Sequence, residues 1–153
     1  MAKFDAALAK RNREALQDAS PLFDQINEAW DKIERFFRKQ GILRAVSYPY
    51  QSLYEWNGNE EVEIGNHLLG IQKHKGKWRV CYGVEYDRAP PPFEVSWTPV
   101  TACGASLRIE LFDHVAGLFE RLVKSNEDYI PEMEQALEKW HEVLSDLEVG
   151  AED

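Results

Sequence analysis

The residues whose types and spacing could do chemistry fall mainly in one stretch: Cys103, Arg108, Glu110 and His114. Cys103 lies in Thr101-Ala102-Cys103-Gly104-Ala105-Ser106, which reads as the approach to a helix. A thiol at a helix N-terminus has a lowered pKa, because the aligned peptide dipoles favour the thiolate. His114 is the nearest base. Ten or so residues of regular helix separate the two by roughly 15 Å, which argues against a local nucleophile–base pair. The competing reading is a small, half-buried structural cysteine, and Cys81, in mid-strand, is structural on its face. No G-x-S-x-G, P-loop or G-x-G-x-x-G pattern occurs.

Metal chemistry has even less support. The histidines are His67, His74, His114 and His141. Glu138 and His141 form one Glu-x-x-His, a spacing that di-iron bundles use twice. Glu110 and His114 lie four apart on a predicted helix, with no H-E-x-x-H motif or cysteine pair to accompany them. The sequence therefore predicts no metal site and no cofactor, and on the question of catalysis it leans towards a protein that is not an enzyme.

Binding chemistry is better represented. Tyr48, Tyr50, Tyr54, Trp56, Trp78, Tyr82, Tyr86 and Trp97 crowd the middle of the chain. Tyr and Trp are favoured where an apolar body meets a polar edge, and they dominate binding hot spots. Trp78, Val80 and Tyr82 are expected to pack under helices. Tyr48, Tyr50, Tyr54 and Trp56 are left as the exposed aromatics. Lys73, Lys75, Lys77 and Arg79 make a basic hairpin tip. Lysines also guard such tips against aggregation, so nucleic-acid binding is disfavoured. Pro90–Pro92 reads as a rigid polyproline connector.

Charge is unevenly placed. Residues 125–153 hold ten acids against one base, Lys139, and so carry the whole net charge of −9. Glu134, Glu138 and Glu142 lie at the centre of that run. Such an element repels nucleic acid and anionic membranes. It suits a basic partner, or solubility alone.

The elements that must position these groups follow from periodicity. A weak helix is predicted over residues 3–18, with Phe4, Ala7, Leu8, Ala15 and Leu16 inward. A second opens at Ser20–Pro21, where Ser can cap and Pro suits the first helical position. Its stripe is Leu22/Phe23, Ile26, Trp30, Ile33 and Phe37, and Gly41 ends it. Residues 42–56 are rich in strand formers, with Pro49 marking an edge or a break. Asn57–Gly58–Asn59 turns the chain, and Glu60, Glu61 and Glu63 are solvated. Residues 67–86 read as an antiparallel hairpin about Lys75–Gly76. Pairing His74 with Lys77 sets Ile71 opposite Val80 and Leu69 opposite Tyr82, which puts both apolar sets on one face.

Phe93, Val95 and Trp97 alternate as a last strand, after which Thr98–Pro99 could cap a helix start. A helix is predicted over 106–124, ended by Ser125–Asn126. A final helix, begun or kinked by Pro131, carries the heptad-like seam Met133, Leu137, Trp140, Leu144 and Leu147, and this seam is expected to pack against the 106–124 helix. The fold class is α+β: an antiparallel meander of four to five strands flanked by two N-terminal and two C-terminal helices. One domain is expected over 1–153, loose at its N-terminus and disordered from about 149. Two cysteines make no disulfide framework, and no leader or apolar span is visible, so a cytoplasmic location is expected.

The functional expectation is a protein-binding module, adaptor or inhibitor, using the acidic C-terminal helix, the aromatic sheet edge, or both. A homodimer through the 132–148 seam is one form of this. The alternative is a small-molecule-binding protein or enzyme with a pocket between sheet and helices.

Overall fold

The computed structural model describes residues 5–88 and 94–152. The elements are α1 (Ala6–Gln40), β1 (Val46–Trp56), β2 (Glu61–His74), β3 (Lys77–Tyr86) and β4 (Thr98–Pro99). A 3₁₀ turn, α2 (Ala105–Glu110), a second 3₁₀ turn at Leu111–His114 and α3 (Val115–Glu152) follow. The sheet is an antiparallel meander in the order β1-β2-β3-β4. The α+β class and the helices at both ends are as the sequence indicates. The polyproline segment and Phe93 lie outside the described residues.

The hairpin has the register that its two apolar patterns require. His74 pairs with Lys77, Ile71 with Val80 and Leu69 with Tyr82. Lys75 and Gly76 both have positive φ, 52° and 80°, as a two-residue type I′ turn demands. Leu69, Ile71 and Val80 are almost wholly buried. Over them lie Trp30 and Phe37 of α1 and Leu111, Leu118 and Leu122. The opposite face is closed differently. Gly70 and Gly83 have no side chain there, and Val95 and Trp97 fill the space: a Cβ on Gly70 would come within 2.7 Å of the Trp97 ring. Val95 and Trp97 thus cover the sheet from outside, and strand pairing begins only at Thr98, with Tyr82. Pro49 does sit in an edge strand, and the β1–β2 register shifts between Pro49 and Gln51. Gly117 lets α3 approach that strand, since a Cβ there would lie 2.5 Å from the Tyr48 ring.

The helix count is corrected. The two N-terminal helices are one, with Pro21 inside α1. Asp5, not Ser20, is its cap, and the Asp5 carboxylate accepts from the Leu8 N–H at 2.8 Å. Proline leaves the carbonyl four residues earlier without its helical donor. Residues 5–25 are exposed apart from half-buried Ala19, so water can take the donor's place. The predicted break at Ser125–Asn126 is absent, because these side chains serve tertiary bonds. Asn126 donates to the Gly41 carbonyl at 3.1 Å and accepts from Leu43 N–H at 3.4 Å. Ser125 accepts from Arg44 Nε at 3.2 Å. Together they pin the α1–β1 connection onto α3. Pro131 lies inside α3, which runs on to Glu152, past position 149.

One buried acid docks α1. Glu34, 5% exposed, receives Arg79 Nε on both carboxylate oxygens at 2.9 and 3.0 Å. It also accepts from the Val80 N–H at 3.4 Å and lies 3.6 Å from Arg38. Arg79 continues to Thr101 Oγ1 at 2.8 Å.

Helix α1 runs in the same direction as the segment from the second 3₁₀ turn into α3. Trp30 stacks on Phe112 at 4.9 Å, and one turn pair further on Phe37 meets Phe119 at 6.1 Å. The overhangs of α1 and α3 therefore leave the sheet at opposite ends. Residues 130–150 of α3 are exposed throughout, apart from half-buried Leu144. At about 1.5 Å per residue, that arm is roughly 30 Å long.

Candidate functional site

Two places gather the residues singled out by type. The first is the polar end of the helix-covered sheet face. His67 lies two residues before Leu69 on β2, so it shares that face with Tyr82 on β3, and Tyr50, the unpaired residue at the β1 register shift, lies against His67. His67 Nδ1 and the Tyr82 hydroxyl are 2.8 Å apart, with donor and acceptor set by the imidazole tautomer. His114 stacks on Tyr50 at 4.2 Å between ring centroids. Burial pushes the pKa of the Tyr50 hydroxyl up, and the charges of Tyr82, Glu110 and Cys103 when ionised add to the effect. Tyr82 is raised for the same reasons, burial first. Both phenols therefore stay protonated near neutrality, and neither serves there as a phenolate base.

The sequence candidates for catalysis divide around this cluster. His114 joins it through Tyr50, and exposed Glu110 acts on both tyrosines through space. Cys103 has the surroundings of the half-buried cysteine and not those of an activated thiol. It follows a 3₁₀ turn, its Sγ donates to the Pro99 carbonyl at 3.5 Å, and burial raises its pKa against the weaker pull of Arg108. Only the six-residue α2 stands beyond it, too short for a strong dipole. No hydrogen bond joins Cys103 to His114 among the described residues. Arg108 turns to α1. Its guanidinium donates to Asn27 Oδ1, its carbonyl accepts from Trp30 Nε1 at 3.1 Å, and its Nε is buried with no partner among the described residues. Among the described residues no group of three His, Cys, Asp or Glu could hold a metal ion.

The aromatic candidates also divide. Tyr48 is half-buried against Gly117, and Tyr50 lies between His114 and His67, so neither is the free aromatic expected. Tyr54 and Trp56 remain exposed at the end of β1, 56% and 63%.

The second place is the α3 arm. Ile130, Met133, Leu137, Trp140, Leu144 and Leu147 recur at alternating spacings of three and four, which lines one face. Leu137 and Trp140 are more than half exposed, so the seam does not pack against residues 106–124 as expected: Val115–Glu152 is one continuous helix and cannot fold back on itself. Glu134, Glu138 and Glu142 run beside this stripe at four-residue intervals, all exposed. Like charges so spaced repel one another and weaken an isolated helix. No described helix is long and apolar enough to cross a membrane.

Sequence reasoning missed the Glu34–Arg79 pair, although its signal was present: a glutamate four residues after Trp30 on an apolar stripe. It also missed the tertiary use of Ser125 and Asn126, which nothing local announces. Compared with family models, curated proteins and solved structures, the chain matches none of them.

Proposed function

We propose that the protein is a protein-binding module, an adaptor or inhibitor, whose contact surface is the α3 arm and whose partner is a basic amphipathic helix. One observation carries the reading: an apolar stripe about six residues deep stands clear of the fold, flanked by unneutralised glutamates. Burying Leu137 and Trp140 against a partner helix removes apolar surface from water. Trp is also the residue type most often found as an interface anchor. Lysines or arginines flanking the partner's own stripe would relieve the repulsion among Glu134, Glu138 and Glu142. The mode is helix-on-helix packing, read through residues at i, i+3, i+4 and i+7. Tyr54 and Trp56, on the β1 edge, are the second contact surface.

The test uses the full chain as bait in three forms: wild type, Leu137→Glu/Trp140→Glu, and Glu134→Lys/Glu138→Lys/Glu142→Lys. All three should be equally folded by circular dichroism, because none of these side chains packs in the core. The wild type should retain a partner that the first variant loses and that the second loses at low salt. A bait that captures nothing, or the same set in all three forms, would sink the proposal.

A further inference from the structure

The acidic arm has a counterpart at its root. Where the α1–β1 connection and the start of β1 meet α3, a groove of about 330 Å³ is lined by Arg44, Ser47, Arg121, Lys124, Ser125 and Asp128, among others. That volume lies at the lower end of the range for small-molecule sites. In a chain of net charge −9, this groove holds three bases and one acid.

The walls are fixed. Arg44 donates to Ser125 Oγ and, at 2.8 Å, to Glu132, and its guanidinium lies 4.7 Å over the Tyr129 ring. Asn126 holds the neighbouring backbone at Gly41 and Leu43. Arg121 and Lys124 are different. They lie one turn apart on α3, and neither has an ion-pair or hydrogen-bond partner among the described residues. Two like charges at that spacing repel, and Asp128, one turn after Lys124 on the same helix, makes no ion pair with it. A ligand carrying two negative charges would neutralise what the fold leaves unpaired.

We propose that this groove binds a small phosphate-bearing molecule. Its phosphate is held by Arg121 and Lys124, and a neighbouring hydroxyl donates to the Asp128 carboxylate. The carboxylate makes the site directional. It repels a bare anion and favours a phosphate ester with a donor beside it. This site is separate from the apolar stripe of the arm and does not depend on it.

The test is a titration of the full chain with inorganic phosphate, glycerol 3-phosphate and sulfate at matched ionic strength, followed by backbone amide NMR. Saturable shifts should centre on residues 44–47 and 121–128, with glycerol 3-phosphate bound more tightly than inorganic phosphate. Arg121→Ala and Lys124→Ala should each weaken binding about tenfold, the loss of one charge-assisted hydrogen bond. Arg11→Ala, a cation on the far arm, should leave it unchanged. Asp128→Asn should tighten inorganic phosphate and erase the preference for the ester. Both cations are exposed and unpartnered, so these variants keep the fold. Absence of saturable shifts in the groove, equal binding of sulfate, or variants no weaker than Arg11→Ala would each overturn the proposal.

Discussion

Glu34 is the residue on which the docking of α1 most depends. Its carboxylate is buried and satisfied by Arg79, Arg38 and a backbone N–H. Removing one member of such a pair strands the other charge, whereas replacing both with apolar groups of similar size relieves both desolvation costs. Glu34→Ala should therefore lower stability by about 3 kcal/mol in urea unfolding. Glu34→Met/Arg79→Met should recover most of that loss, and a double variant as unstable as the single would show that the pair is not the cause. The thiols and phenols give a second prediction with a definite sign. Burial pushes the Cys81 thiol from 9.0 up to about 11, with Glu34 adding to the rise and Arg79 opposing it. The folded state then keeps a proton that the unfolded chain releases. The resulting stabilisation is complete below pH 9 and is lost as pH climbs towards 11. Tyr50 and Tyr82 act in the same sense from their ordinary value of 10.0 upwards. The urea midpoint of the wild type should fall across this window, and Cys81→Ala should flatten the first part of the fall. A midpoint independent of pH up to 11 would contradict the burial argument.

At the scale of elements, the close approach of α3 to β1 rests on Gly117. Alanine is ordinarily better than glycine within a helix by about 1 kcal/mol. Here its Cβ would meet the Tyr48 ring at 2.5 Å. Gly117→Ala should destabilise the wild type yet stabilise a Tyr48→Ala background, a change of sign readable by thermal unfolding. If alanine stabilises both, the contact does not set the spacing. The same pair shows what the sequence could and could not disclose. Tyr48 reads as a strand aromatic from its neighbours, but its partner lies 69 residues away and is marked only by a glycine in a helix. The register of the hairpin was legible, because two period-two patterns and a Lys-Gly turn constrain one another locally, but its first strand starts at Glu61 rather than at residue 67, taking in glutamates that read as solvated loop. Pro21 and Ser125–Asn126 misled for the opposite reason. Proline and polar pairs are local stop signals, and only surrounding water in the first case, and Arg44, Gly41 and Leu43 in the second, let the helices continue. Of the candidate sites, the arm was visible as a heptad pattern with its acids. The groove was not, since Arg44 and Lys124 become neighbours only through the fold.

At the scale of the whole molecule, two helices share a sheet along part of their length and leave it at opposite ends. The division has a thermodynamic consequence. The core residues Trp30, Phe37, Leu69, Ile71, Val80, Leu111, Leu118 and Leu122 all belong to the shared part, whereas residues 5–25 and 130–150 are exposed almost throughout. Global unfolding should therefore report on the shared part alone, with the arms opening locally at much lower free energy. A chain ending at Gln135 tests this. It keeps Glu132 on Arg44 and Asn126 on Gly41, and loses Leu137, Trp140, Leu144 and Leu147. Its unfolding free energy should match that of the full chain within about 0.5 kcal/mol, as for surface changes remote from the core. Amide exchange in β2 and β3 should be unchanged, and in the full chain the amides of 136–150 should already exchange far faster than those of the sheet. Binding of the helical partner should disappear with the segment, while phosphate should still shift the amides of 121–128. A shortened chain that unfolds would instead make the arm part of the folding unit. Its exposed stripe would then have a structural role, and the case for a docking surface would lose its foundation.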